Sequence, residues 1–122
     1  MERETTVKRV GRKAGQGSKW IRPVKRQRIY ARDSHCCTYC GSHVTDGAIL
    51  TLDHVVACEL GGTNHETNLV TCCLSCNSRK RALTVRQFLA LLRKQGTDTS
   101  GIARRVRAAV KRQLPRLLKA VA

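Results

Sequence analysis

The side chains best suited to chemistry are concentrated between Leu52 and Lys80. Asp53 and His54 are adjacent in this stretch, so a carboxylate that can hold a hard cation stands beside a base. Histidine is partly unprotonated at neutral pH, and it can therefore accept a proton from an attacking water molecule. Asn77 adds an amide oxygen, and oxygen ligands of this kind suit magnesium or manganese. The combination predicts metal-assisted hydrolysis of a phosphodiester.

A second metal site is indicated by the cysteines, of which the chain has seven. The pairs Cys37-x-x-Cys40 and Cys73-x-x-Cys76 have the two-residue gap with which neighbouring thiolates bind one tetrahedral zinc ion. Four thiolates leave no open position for water, so this zinc is expected to be structural. We therefore expect Cys40→Ser to impair folding, and Asp53→Ala to remove activity from a protein that still folds.

Two Cys-Cys doublets leave the register of these pairs open. Cys37 and Cys73 are preferred because each forms a CxxC pair with its partner. His35 and His43 are alternative zinc ligands. The three other cysteines are expected to be small buried hydrophobic residues: Cys36, Cys58 and Cys72.

Charge is distributed unevenly along the 122 residues, whose net charge is +16. Residues 1–32 carry eleven basic and two acidic side chains, and residues 79–122 carry thirteen basic and one acidic. Between them, residues 33–78 contain five acidic side chains and no lysine or arginine. A mildly acidic centre between two basic arms suits a protein that binds a cation and holds a polyanion against it. A solvated coat of charge is the simpler alternative.

The succession DH, GG, NL and CNxxK between Asp53 and Lys80 resembles the motif of the HNH endonucleases, over about residues 33–85. The resemblance implies an α+β fold with a small ββα-metal core, here stapled by the four-cysteine zinc site and flanked by basic helices. It implies that His54 is the catalytic base and that Asp53 and Asn77 hold the catalytic metal. Asn68 would order the loop and orient His54.

The resemblance also implies a metal-dependent DNA endonuclease whose products carry a 5′-phosphate and a 3′-hydroxyl. The structural ion would be zinc and the catalytic ion magnesium or manganese, which the amide of Asn77 favours over softer ions in this HNN variant. One site per chain would nick a single strand of double-stranded DNA. Cutting both strands would need a homodimer or a partner, such as a protein of a phage or mobile-element complex.

Basic residues next to the motif are expected to contact phosphate: Arg79, Lys80 and Arg81. Such contacts position a protein on nucleic acid without reading its sequence. Two alternatives to the nuclease stay open at this point. One is a zinc-stapled nucleic-acid-binding module without catalysis, and the other is a nuclease subunit that is active only within a larger complex.

Periodicity predicts which elements carry these residues. A helix is predicted over residues 23–33, because Pro23 suits a first turn, and Trp20 and Ile21 would pack its start against the core. Two strands and a further helix follow, over residues 48–56, 68–71 and 75–82.

Two more helices are predicted after the motif. Thr84 and Gln87 have the spacing of a capping box for a helix that ends at Gly96. Ser100 is expected to cap a last helix, which Pro115 would kink or restart. The inward side of this last helix is predicted to carry Ile102, Val106, Ala109 and Val110.

The length suits one domain with extensions. We expect a flexible basic arm over residues 1–19, the zinc-containing nuclease domain over 20–95 and a basic helical C-terminal extension over 96–122. No signal peptide is recognised, and no apolar run approaches the roughly 20 residues that a membrane helix needs. Together with the odd number of cysteines, this indicates a reducing, cytoplasmic setting.

Overall fold

The computed structural model describes residues 21–116, so the predicted arm, Trp20 and the chain beyond residue 116 lie outside the described residues. The predicted α+β class is confirmed, since helices surround a two-stranded antiparallel sheet. Within residues 21–116, no helix is long and apolar enough to cross a membrane. The elements are α1 (Pro23–Arg32), β1 (Leu50–His54), β2 (Leu69–Cys73), α2 (Leu74–Lys80), α3 (Val85–Lys94) and α4 (Ile102–Lys111).

The pairing of the two strands separates the adjacent site residues. Leu52 lies opposite Thr71 and His54 lies opposite Leu69. Because successive side chains of a strand point to opposite faces, Leu52 and His54 share one face of the sheet and Asp53 lies on the other. The dipeptide that carries the predicted chemistry is thus divided between two environments.

Both faces of the sheet are covered, which accounts for the complete burial of β2. Helix α1 covers the face of Leu52, in a cluster of Ile21, Ile29, Tyr30, Leu52, Leu69 and Leu114. The other face carries Val70 and Cys72 and is covered by α3 and α4, through Phe88, Leu89, Leu92, Ile102, Val106 and Ala109. Helix α4 therefore shares a core with the cysteine cluster, and the buried Ile21 confirms the predicted packing before α1.

A buried ion pair joins α1 to β2. The guanidinium of Arg32 donates to both carboxylate oxygens of Asp33, at 2.8 and 2.9 Å. Asp33 in turn accepts a hydrogen bond of 2.9 Å from the amide of Thr71. Because the pair bonds to backbone as well as to itself, its polar groups are satisfied inside the fold.

The capping box of α3 is confirmed, because Thr84 and Gln87 each accept a hydrogen bond from the backbone amide of the other. The prediction for α4 was wrong at its first turn. Ser100 does not cap this helix, since its hydroxyl donates to Asp98 at 2.7 Å, and the N-cap is Gly101 with a φ of +88°. Gly101 serves there because glycine adopts this left-handed conformation without strain.

Candidate active site and metal centre

The four cysteines of the two CxxC pairs come together. The sulfur atoms of Cys37, Cys40, Cys73 and Cys76 all lie within 4.8 Å of one another. A zinc ion with bonds of about 2.3 Å holds tetrahedral ligands about 3.8 Å apart, and the Cys40 and Cys73 sulfurs are 3.7 Å apart. The predicted register is confirmed, and the cluster is consistent with zinc.

Each pair is shaped by its own turn. The amide of Cys40 donates to the sulfur of Cys37, and the amide of Cys76 donates to the sulfur of Cys73, both at 3.4 Å. Gly41 follows the first pair with a φ of +82°, and the chain after it bonds back to Cys37 through the Ser42 carbonyl. The second pair bridges the end of β2 and the first turn of α2.

The electrostatics of the cluster call for a cation. Hydrogen bonds from the thiols of Cys72 and Cys76 lower the pKa of Cys37. The hydrogen bond with Cys37, together with burial, raises the pKa of Cys76. Four thiolates this close together would repel one another, and a divalent ion bound among them would stabilise all four.

The remaining cysteines differ from one another. Cys72 is fully buried as predicted, and its thiol donates to the Cys73 carbonyl. Cys58 is exposed and Cys36 is only partly buried, so the prediction of burial was wrong for Cys58. His43 caps a short turn by accepting a hydrogen bond from Thr45, and it is not part of the four-sulfur cluster; neither is His35.

A cleft brings together three of the residues that the motif singled out. Asp53 and His54 reach it from the end of β1, and Asn77 reaches it from α2. The antiparallel pairing of β1 with β2, followed directly by α2, places residues 24 positions apart in one cleft. The cleft is also lined by Leu52, Ala57, Cys58, Glu59, Ser78, Arg81 and Ala82.

Asp53 is held from two sides. Its carboxylate accepts a hydrogen bond of 2.6 Å from the Tyr39 hydroxyl and lies 3.1 Å from the ammonium of Lys80. Burial raises the pKa of Asp53, and the Lys80 charge and the Tyr39 hydroxyl oppose this shift. Burial and the neighbouring carboxylate raise the pKa of Tyr39, so its hydroxyl stays protonated and acts as the donor.

Lys80 lies in the interior, contrary to the prediction of a phosphate contact. Its side chain is 1% exposed, and its ammonium also donates to the His54 carbonyl at 3.4 Å. The burial of Lys80 also alters the expectation for Asp53→Ala, which should now destabilise the fold. Removing this carboxylate would leave the Lys80 charge buried and unpaired, which costs about 3–5 kcal/mol in comparable cases.

His54 has a defined partner that the sequence did not indicate. Its Nε2 lies 2.7 Å from the side-chain oxygen of Asn64, to which it donates, and 3.5 Å from the sulfur of Cys58. A donor at Nε2 implies that the ring proton resides on that nitrogen, because the hydrogen bond at one ring nitrogen decides the tautomer.

Asn68 ties together the loop that follows His54. Its side chain accepts from the Val56 amide at 2.8 Å and donates to the carbonyls of Val56 and Thr63 at 3.0 and 2.9 Å. Gly62 is required beside it, since a Cβ there would lie 1.6 Å from the Val56 oxygen. The predicted strand beyond His54 is absent because Asn68 takes up these backbone groups instead.

Asn77 is oriented by its amide nitrogen. The NH₂ group donates to the Thr51 hydroxyl at 2.8 Å and to the Leu52 carbonyl at 3.3 Å. The amide oxygen accepts no hydrogen bond from the described residues, so it stays available to an ion at the cleft. A carboxylate from Asp53 and an amide oxygen from Asn77 are hard donors that fit magnesium or manganese.

The two arginines that flank Lys80 are exposed. Arg81 lines the cleft, whereas Arg79 lies outside it and donates to the side chain of Gln95.

Tyr39 and Asn64 are the residues near the site that the motif did not reveal. A tyrosine between two cysteines of the cluster and an asparagine in a glycine-rich loop carry no signal of their own in a single sequence.

Part of the chain is similar to a known protein family. Residues 37–92 match the model of a family described as HNH endonuclease. The matched segment runs from the first cysteine of the cluster to the last turn of α3, and it contains the cleft residues. A comparison of the whole chain with curated proteins found no match.

Proposed function

We propose, from the match of residues 37–92 to the family model described as HNH endonuclease, that the protein is a metal-dependent endonuclease that hydrolyses DNA. The observation that carries the proposal is the cleft in which Asp53, His54 and Asn77 meet. A base and two hard ligands at one cleft are what hydrolysis of a phosphodiester requires.

His54 is the proposed base. With Nε2 bonded to Asn64, its Nδ1 takes a proton from a water molecule whose oxygen forms a bond to phosphorus. The bond from phosphorus to the 3′ oxygen breaks, which leaves a 5′-phosphate on one product and a 3′-hydroxyl on the other. Asn68 contributes by holding the loop that carries Asn64 in place.

Asp53 and Asn77 are the residues that would hold magnesium or manganese. When bound, the ion takes up negative charge on the phosphate and on the leaving oxygen. Asp53 is already neutralised by Lys80, so the cleft offers little net negative charge of its own. We expect the ion to bind weakly to the free protein and more strongly together with the phosphate.

Arg81 at the cleft and Arg79 beside it are proposed to contact the DNA backbone. The exposed side of α4 carries further basic residues, which are Arg104, Arg107 and Lys111. A single cleft would nick one strand of double-stranded DNA, and a homodimer or a partner complex would be needed to cut both strands. Zinc in the cysteine cluster would have a structural role only.

The Asp53–Lys80 ion pair also favours one alternative. A carboxylate that is already paired has less need of a metal, as expected for a zinc-stapled nucleic-acid-binding module without catalysis. That module would bind DNA in a salt-sensitive way and cleave nothing in either metal. Cleavage therefore separates the two functions.

The test is the conversion of supercoiled plasmid to nicked circles by purified protein in magnesium or manganese. His54→Ala is expected to slow nicking by about 10²–10⁴-fold, the usual contribution of general acid–base catalysis. His43→Ala is the matched control, because His43 is a turn residue outside the cleft. Excess chelator should stop the wild type, and added magnesium should restore it.

Two results would contradict the proposal. Tight DNA binding without cleavage in either metal would favour the binding module or a subunit that needs its complex. Equal losses in His54→Ala and His43→Ala would show that the cleft histidine is not the base.

A further inference from the structure

The loop between the strands lacks the usual means of fixing its position. None of residues 55–68 is buried, and Leu60, its largest apolar side chain, is 63% exposed. Val55 packs against the core at the start of this loop, but beyond it the part that carries Asn64 and Asn68 depends mainly on hydrogen bonds. Some of those bonds lie within the loop, at Asn68, but they do not anchor it to the rest of the protein.

Helix α1 supplies such anchors. Lys25 donates from its ammonium to the Asn64 carbonyl at 2.6 Å. Arg32 donates to the carbonyls of Glu66 and Leu69, at 3.1 and 2.6 Å, on either side of Asn68. Lys25 and Arg32 are seven residues apart, so they lie two turns apart on one side of the helix.

We propose that Lys25 and Arg32 are positioning residues for His54, and that α1 is thereby part of the catalytic apparatus. This inference rests on the proposed function of His54 as the base. Helix α1 precedes the segment that matches the HNH family, so the proposal extends the active site beyond that segment. Both basic residues act on the chain's own backbone and not on the phosphate of DNA.

The connection to His54 runs through Asn64. Lys25 holds the backbone of Asn64, whose side chain accepts from Nε2 of His54. Arg32 holds the backbone around Asn68, whose side chain bonds the carbonyl of Thr63, the neighbour of Asn64. Loss of either anchor would let the Asn64 oxygen drift from Nε2, and the proton on the ring would no longer be confined to that nitrogen.

A double-mutant cycle on the full-length chain tests the proposal, with plasmid nicking in magnesium as the measurement. Lys25→Met and Asn64→Ala are each expected to lower kcat about tenfold with little change in KM, since misplacement by about 1 Å can cost ~10²-fold. Because Lys25 acts through Asn64, the double variant should be no slower than Asn64→Ala alone. Losses that multiply would overturn the proposal.

Arg22→Met is the matched control for charge. It removes a positive charge from an exposed residue at the start of the same helix and should leave kcat unchanged. A loss equal to that of Lys25→Met would show that Lys25 acts through charge on DNA, and the proposal would fail.

Arg32→Lys is the second variant, because it keeps a charge beside Asp33 and should fold. Lysine lacks the fork with which arginine reaches several acceptors, so kcat should again fall about tenfold. Zinc content and Tm are measured with each variant. Unchanged kcat in a folded Arg32→Lys protein would contradict the role of Arg32.

Nuclear magnetic resonance of nitrogen-labelled histidine gives a measurement independent of cleavage. In the wild type, the His54 ring should carry its proton on Nε2. In Lys25→Met, the proton should be distributed between Nε2 and Nδ1, as a mixture of the two tautomers. A merely structural role would leave this tautomer unchanged. If the wild type does not nick DNA, the proposed function fails, while an altered tautomer would still support the positioning by α1.

Discussion

The cysteine cluster, which could hold a metal ion, and the cleft, for which we propose one, depend on the rest of the chain in different ways. The cluster draws on two short segments, and each CxxC turn arranges its own pair of sulfurs. In the cleft, Asp53 and His54 need partners from distant parts of the chain. Those partners are Tyr39, Asn64 and Lys80, and Lys25 in turn holds the backbone of Asn64.

The difference has a physical origin. Four chemically identical ligands in a tetrahedron need only the right distances, which a two-residue turn provides. A catalytic carboxylate and base need defined orientations and protonation states, which their neighbours impose. We therefore expect changes at the cluster to affect folding, and changes at the cleft to affect activity except where a cleft residue is also buried.

The largest effect is expected from Cys40→Ser. Losing one thiolate should release the zinc. Binding of a structural zinc contributes about 10–16 kcal/mol in zinc-finger peptides, which is comparable to or larger than the free energy of unfolding of a small domain. Zinc content and circular dichroism should show a metal-free, largely unfolded protein. A folded Cys40→Ser protein that retains one zinc per chain would contradict the expectation that changes at the cluster affect folding.

Lys80→Met should come next and tests whether the cleft is independent of folding. Asp53 would remain buried without its partner, which should lower the free energy of unfolding by about 3–5 kcal/mol. Chemical denaturation would measure this loss. Removing Lys80 leaves burial free to raise the pKa of Asp53, so the folded state binds a proton more tightly than the unfolded state. The loss of stability should therefore grow as pH rises and shrink as pH falls.

Lys94→Met is the control for Lys80→Met, since Lys94 is exposed in the last turn of α3. It should change the free energy of unfolding by less than about 0.5 kcal/mol. Equal effects in the two variants, or a loss at Lys80 that does not depend on pH, would contradict the burial of the Asp53 charge.

Tyr39→Phe addresses the residue that joins the two sites, because Tyr39 lies between Cys37 and Cys40 and donates to Asp53. The ring should keep its edge-on contact with Phe88, at 5.2 Å between centroids, so zinc should be retained. Loss of a hydrogen bond to a charged group should cost about 1.5–3 kcal/mol and slow nicking.

Tyr30→Phe provides the comparison for Tyr39→Phe. The hydroxyl of Tyr30 donates to the Leu50 carbonyl on the opposite face of the sheet, and such a neutral bond contributes about 0.5–1.5 kcal/mol. Nicking should not change in this variant. If Tyr39→Phe also leaves nicking unchanged, or if it loses zinc, the hydroxyl does not link the two sites as described.

The smallest effect is expected from Thr84→Ala, which is remote from both sites. Loss of the Thr84 side chain breaks the capping box of α3 and should cost about 1 kcal/mol of unfolding free energy. Zinc content and the nicking rate at a temperature well below Tm should not change. An altered nicking rate would show that α3 supports the cleft more directly than its contacts indicate.

Much of the fold followed from local rules. Helix α1 was predicted over residues 23–33 and runs over Pro23–Arg32, because proline suits the first turn of a helix. The α3 capping box was read from Thr84 and Gln87 alone. The prediction at Ser100 failed because the helix begins one residue later, with Gly101 as its N-cap, and the Ser100 hydroxyl instead donates to Asp98.

The sequence by itself determined which four cysteines cluster, the order of strands and helices, and the candidates for chemistry at Asp53, His54 and Asn77. These depend on residue type and short spacing, which are properties of the chain before it folds. The exposed Cys58 shows the limit of such inference, since the burial of a single cysteine is decided by what packs on it.

Only the tertiary structure decided what those candidates contact. The alternation of β1 sends Asp53 and His54 to opposite faces, and residues distant in sequence meet each of them there. Lysines illustrate the consequence, because Lys80 is buried against a carboxylate and Lys25 holds a loop, although both belong to stretches that suggest phosphate binding. A charge in a sequence has no partner until folding brings one within a few ångströms, and that partner determines its role.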